Sequence, residues 1–163
     1  MVVAPCAVEA VRCVGGWLFD RVMAGWDATV LIADHADSRP LRILGATTTD
    51  LESVLTSTSR GPRPQAMAVD AGLYRSDRRV RRMVREAFNE GVIEIRLWGD
   101  VGAPEVDGGC GSVQHRLSVA ARAFKAQALA AVAVQVDAID VTETFRGGDP
   151  PRVTRTPDLV TAS

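Results

Sequence analysis

Apolar residues recur at helical spacing over residues 6–25, where Val8, Val11, Val14, Leu18 and Val22 mark one stripe, so a helix is predicted there. Gly15 and Gly16 interrupt the stripe. Each costs about 1 kcal/mol relative to alanine in a continuous helix, so the helix either breaks at that point or meets a closely packed neighbour. Gly25 stands where a helix terminator belongs. Residues 27–34 (DATVLIAD) and 41–46 (LRILGA) are rich in β-branched and aliphatic side chains and read as strands. The turn formers between them, HADSRP, predict an antiparallel hairpin.

Residues 50–55 form a short predicted helix, capped by Thr49 or Asp50. After the polar stretch TSTSRGPRP, a short strand is expected at 66–70. Ser76 then caps a helix over 77–90 that Gly91 closes. Residues 92–98 (VIEIRLW) alternate apolar and polar, the pattern of a half-buried strand. Residues 99–111 read as a long loop and 112–132 as a helix with Leu117, Ala120, Ala121, Phe124 and Ala128 on one stripe. A last strand is predicted at 135–141. The expected fold is therefore a single α/β or α+β domain over residues 1–146, with a flexible tail at 147–163. Its mixed sheet of about four or five strands includes the early antiparallel hairpin, and three main helices cover it.

Composition narrows the class. At 163 residues and a formal charge of −1, the chain is long enough for a real core and is no wholesale polycation. No apolar run approaches the roughly 20 residues of a membrane-spanning helix, and no basic-then-apolar opening marks a secretory signal. Three cysteines, Cys6, Cys13 and Cys110, make no disulfide framework, so a reducing cytoplasm is expected. Lys125 is the sole lysine against 18 arginines by difference from 19 Lys+Arg, a skew that a GC-rich genome also produces.

One surface stands out. Arg75, Arg78, Arg79, Arg82 and Arg85 crowd one short helix, with Arg78, Arg82 and Arg85 on a single face opposite Val80, Val84 and Ala87. Positive charge in a first helical turn opposes the macrodipole, so an anionic partner is expected for these groups. Candidates are the protein's own carboxylates, an acidic protein surface, or a nucleic-acid backbone. Few aromatics and a near-zero net charge argue against the last.

Other chemistry is sparser. Gly108, Gly109, Gly111 and Ser112, with His115 just beyond, form a glycine-rich turn ahead of a predicted helix and are a candidate phosphate-binding loop. The loop lacks the Gly-Lys-Ser/Thr element and has the wrong distance from its strand for a dinucleotide fingerprint. A Cys110–His115 nucleophile pair, an Asp34–His35–Asp37 metal set and an Asp100, Glu105 and Asp107 acid–base group are each weighed, and each reads better as ordinary turn or loop chemistry. Trp17, Trp26 and Trp98 read as core or interface anchors. Neither a cofactor nor a metal is expected. The sequence thus predicts a small cytoplasmic protein that acts by binding, to a protein partner or its own copy, with no assigned catalysis. The alternatives are a nucleotide- or phosphate-ligand-binding domain or enzyme built on residues 108–112, and a nucleic-acid binder built on the arginine helix 75–85.

Overall fold

The computed structural model describes residues 1–34, 36–57, 63–91, 94–99, 111–135 and 138–147. Their strands are β1 (Val2–Cys6), β2 (Thr29–Asp34), β3 (Thr47–Asp50), β4 (Ala66–Asp70), β5 (Glu94–Trp98), β6 (Ser112–Arg116) and β7 (Thr142–Arg146). The helices are α1 (Ala7–Met23), α2 (Arg39–Ile43), α3 (Leu51–Thr56), α4 (Ala71–Ser76), α5 (Arg78–Asn89) and α6 (Val119–Ala130). Among the described residues, no helix is long and apolar enough to cross a membrane.

One sheet carries all seven strands in the order β3-β2-β1-β4-β5-β7-β6. The first five are parallel, and β7 turns antiparallel to both β5 and β6. Because chain order reverses between β1 and β4, the sheet is doubly wound, with helices on both faces. Alternation along β1 shows the division: Val2 and Ala4 join the core under α1, α2 and α6, while Val3 joins the one under α3, α4 and α5. Strands buried on both faces read as continuous apolar runs rather than alternating ones, and VVAPC is such a run.

The mixed α/β character expected from sequence is present, but with more strands and helices than expected. The early hairpin is corrected. Residues 39–43 form α2, and the strand that follows pairs parallel to β2. Pro40 in the first turn and Gly45 just past the end favour the helix. The Ala46 amide donates to the Leu41 carbonyl and Gly45 to Arg42, at 3.0 Å each. That pattern terminates a helix through a residue of positive φ, and Gly45 has φ +80°. Residues 112–116 are strand β6 rather than helix, and the last strand lies at 142–146, beyond the predicted 135–141.

Helix α1 does not break at its glycines. Instead a carboxylate reaches its backbone. Glu143, on β7 and 4% exposed, accepts the Gly16 and Trp17 amides at 2.8 Å each and the Lys125 ammonium of α6 at 2.6 Å. Leu117 fills the space where a Gly16 side chain would stand; a Cβ there would lie 2.2 Å from Leu117 Cδ2 and 2.3 Å from its Cγ. The same interface is pinned at its far end by Asp20, whose carboxylate accepts from the Ser118 amide at 3.2 Å and meets His115 Nε2 at 2.8 Å. Burial pushes the Asp20 pKa up, yet hydrogen bonds from Ser118 and His115 outweigh it and hold this carboxyl below the usual range.

Two outcomes follow for stability. Alanine at Gly16 gains about 1 kcal/mol of helix propensity but overpacks against Leu117. Gly16→Ala is therefore expected to lose about 2 kcal/mol net in urea denaturation. Gly15→Ala, whose Cβ would meet Leu44 Cδ1 at 3.2 Å, should stay within about 0.5 kcal/mol of the wild type. A Gly16→Ala protein as stable as wild type would contradict this packing. For Asp20, a folded pKa below the unfolded one gives stability that is present above the unfolded value and lost as pH falls through the folded one. Denaturation midpoints should thus drop below about pH 4, and Asp20→Asn should flatten that part of the profile.

Candidate functional site

In doubly wound sheets, ligands bind outside the carboxyl ends of the strands, in the crevice where strand order reverses. Here that crevice lies between β1 and β4. Its β1 side ends at Cys6, which pairs in register with Asp34 of β2, and passes directly into α1. Cys6 is the N-cap of that helix yet contributes no side-chain capping bond, so the partial positive charge of a 17-residue helix opens toward the crevice. Glu9 lies in the first turn of α1, 3.6 Å from Arg12 and 43% exposed.

The β4 side ends at Asp70, in register with Trp98 of β5. Its Oδ1 accepts the Leu73 amide at 2.8 Å and caps α4. Its Oδ2 would lie 3.4 Å from a Cβ placed on Gly99. Backbone in a left-handed conformation, φ +101°, thus passes close to the carboxylate, where a side chain would be strained. Asp50, at the end of β3, likewise caps α3 through the Ser53 amide at 2.8 Å. These acidic strand ends are first of all helix caps.

Cys13, about two helical turns beyond Cys6, is a poor nucleophile. Burial, reinforced by the negative charge of Glu9, pushes its thiol up to about 11, so it stays protonated at neutral pH. Among the described residues, no group of three or more His, Cys, Asp or Glu side chains is placed to hold a metal ion.

The residues singled out from sequence lie elsewhere. Arg75, Arg78, Arg82 and Arg85 are exposed on α4 and α5, the last helix with its Val80, Val84 and Ala87 face buried. Arg79 is not free. It forks onto Glu52 at 2.6 and 3.0 Å and also holds Asp77 at 2.9 Å. These bonds raise its pKa, and the bonds it donates hold Asp77 below the usual range. Arg82 stands 3.9 Å from Glu86. Gly108 and Gly109, like Cys110, His35, Asp100, Glu105 and Asp107, lie outside the described residues. Gly111 is exposed and Ser112 opens β6, while His115 is engaged by Asp20. Asp37 is bound within its own turn by Arg39, at 2.6 Å, whose hydrogen bonds keep the Asp37 pKa low. Trp17 and Trp98 are buried in the core and Trp26 packs partly buried against it.

Sequence reasoning missed the crevice because it assigned no element to residues 2–5 and began the first helix at residue 6. Its signal was present all the same: an apolar VVAPC run leading straight into a helix, and a second run, AMAVD, ending on an acidic cap.

No family model and no curated protein matches this sequence. Two solved structures share its fold. The A40926 pseudoaglycone deacetylase Dbv21 aligns with a TM-score of 0.64 at 17% identity, covering 89% of this chain and 94% of that one. The teicoplanin deacetylase Orf2, solved in a zinc-inhibited form, aligns with a TM-score of 0.57 at 16% identity, covering 82% and 83%. This finding corrects the expectation of a protein that acts only by binding, since the fold is one that two deacetylases use.

Proposed function

We propose that the chain is a hydrolase that removes an acetyl-type acyl group from a small molecule held between the carboxyl ends of β1 and β4. The observation that carries this reading is the fold likeness to the deacetylase Dbv21 over 89% of the chain. The crevice at the strand reversal supplies the place, by the general rule for such sheets.

In this reading water adds to the acyl carbonyl carbon, and the bond from that carbon to nitrogen or oxygen breaks. The proton taken from water ends on the leaving atom. Glu9 is the general base, because it stands half-exposed in the first turn of α1 and, among the described residues, its ionic contact is the long one to Arg12. Backbone amides opening α1 face the oxyanion as it forms. Asp70 fixes the opposite wall by capping α4. Zinc, the inhibitor in the teicoplanin deacetylase structure, does not fit the described residues of this chain, which bring no three metal-binding side chains together. No step is assigned to a metal.

The test is release of free acetate from a panel of acetylated small molecules, amides and esters alike. Turnover of at least one is expected, and Glu9→Gln should lower its kcat by about 100-fold with little change in melting temperature. No acetate from any member, or an undiminished rate in Glu9→Gln, would contradict the assignment.

A further inference from the structure

A groove opens at the opposite edge of the sheet, around the amino ends of β1, β2 and β4. Its volume is about 780 Å³, within the roughly 300–1,000 Å³ range of small-molecule sites. A smaller hollow of about 360 Å³ between α3 and α5 continues it and shares Met1, Val54, Arg63 and Pro64. Leu31, Val54 and Ala66 give the groove apolar walls, and Trp26 adds an aromatic one.

Trp26 is fixed before any ligand arrives. The Arg21 guanidinium carbon lies 4.8 Å from its ring centroid, and Arg21 is itself held by Glu94 at 2.7 Å. Gly25, with φ +86°, turns the chain off the end of α1 so that Trp26 folds back against it.

The charges around the groove are unequal. Arg63 is balanced by Glu90 at 3.3 Å. The Met1 amino group donates to the Ala66 carbonyl at 2.8 Å, and burial pulls its pKa down to about 6, so it carries little charge at neutral pH. Asp27 is exposed and, among the described residues, engages no hydrogen-bonding or ionic partner. An unbalanced carboxylate beside an aromatic wall and an apolar floor complements a cation with an apolar body.

We propose that this groove binds a primary amine with an aromatic body, its ammonium against Asp27 and its ring along Trp26, Leu31 and Val54. The site is separate from the crevice at the carboxyl edge and does not depend on the hydrolytic reading. Calorimetric titration with 2-phenylethylamine tests it, with 2-phenylethanol and 3-phenylpropionate as neutral and anionic probes of similar shape. The amine should bind at least about tenfold more tightly than the alcohol, and the carboxylate more weakly than either. Asp27→Asn should abolish the preference for the amine while keeping the affinity for the alcohol, which also reports that the variant is folded. Ala24→Trp, at an exposed lining position, should weaken all three by narrowing the groove. Equal affinities for the three probes, no binding of the amine, or an amine preference that survives Asp27→Asn would overturn the proposal.

Discussion

The Glu143 carboxylate is the constraint on which the rest of this structure depends. Removing such a group from water costs several kcal/mol, and the cost is offset only when its oxygens are fully engaged. Here two backbone amides of α1 and the Lys125 ammonium converge on it. One side chain therefore ties the antiparallel strand β7, which lies between β5 and the edge strand β6, to helices α1 and α6. Without it, β7 would be joined to the body mainly through its pairing with β5 at Leu97↔Arg146 and through Phe145 packed on Trp17 at 6.0 Å. Gly16 makes the contact feasible, since any side chain there would collide with Leu117.

Fixing α1 has a consequence at each of its ends. At its start, Cys6 at the end of β1 and the first turn of α1 stand beside the crevice where the sheet reverses order. At its finish, Gly25 and Trp26 are held over the groove at the opposite edge. The two candidate sites thus share one rigid helix while facing different ends of the sheet. Of the arginines on α5, Arg79 and Arg82 line the hollow that continues the groove. Arg79 knits α5 to α3 through Glu52, and Arg81 turns back onto the Tyr74 and Arg75 carbonyls, so part of the cationic cluster holds the fold together.

The elements legible in the sequence were those whose signal is local. The helix ending at Gly25, the Asp50 cap of α3, the strand at 66–70 and the apolar face of α5 all follow from spacing and capping chemistry. The illegible ones depend on partners far along the chain. Strand β1 lacks alternation because both its faces are buried, and it runs into α1 without a turn. Ile43 made α2 resemble a strand, although Pro40 and Gly45 carried the opposite message. Residues 112–116 became a strand because β7 pairs with them along five positions, Ser112↔Arg146 to Arg116↔Thr142, an interaction no nearby residue announces. The crevice was hidden for the same reason: a strand reversal is a property of topology, and the strand ends at Cys6 and Asp70 become neighbours only once β4 returns beside β1.

The claim that a buried carboxylate organises the fold is most directly tested by a double-mutant cycle in urea denaturation, using Lys125→Met, Glu143→Gln and the two together. The account predicts a loss of about 3 kcal/mol for each single change, since each leaves buried polar groups without their partner. The double variant should lose at least about 1 kcal/mol less than the sum of the two. Losses that add to within about 0.5 kcal/mol, or single variants as stable as the wild type, would show that Glu143 and Lys125 do not act as one unit.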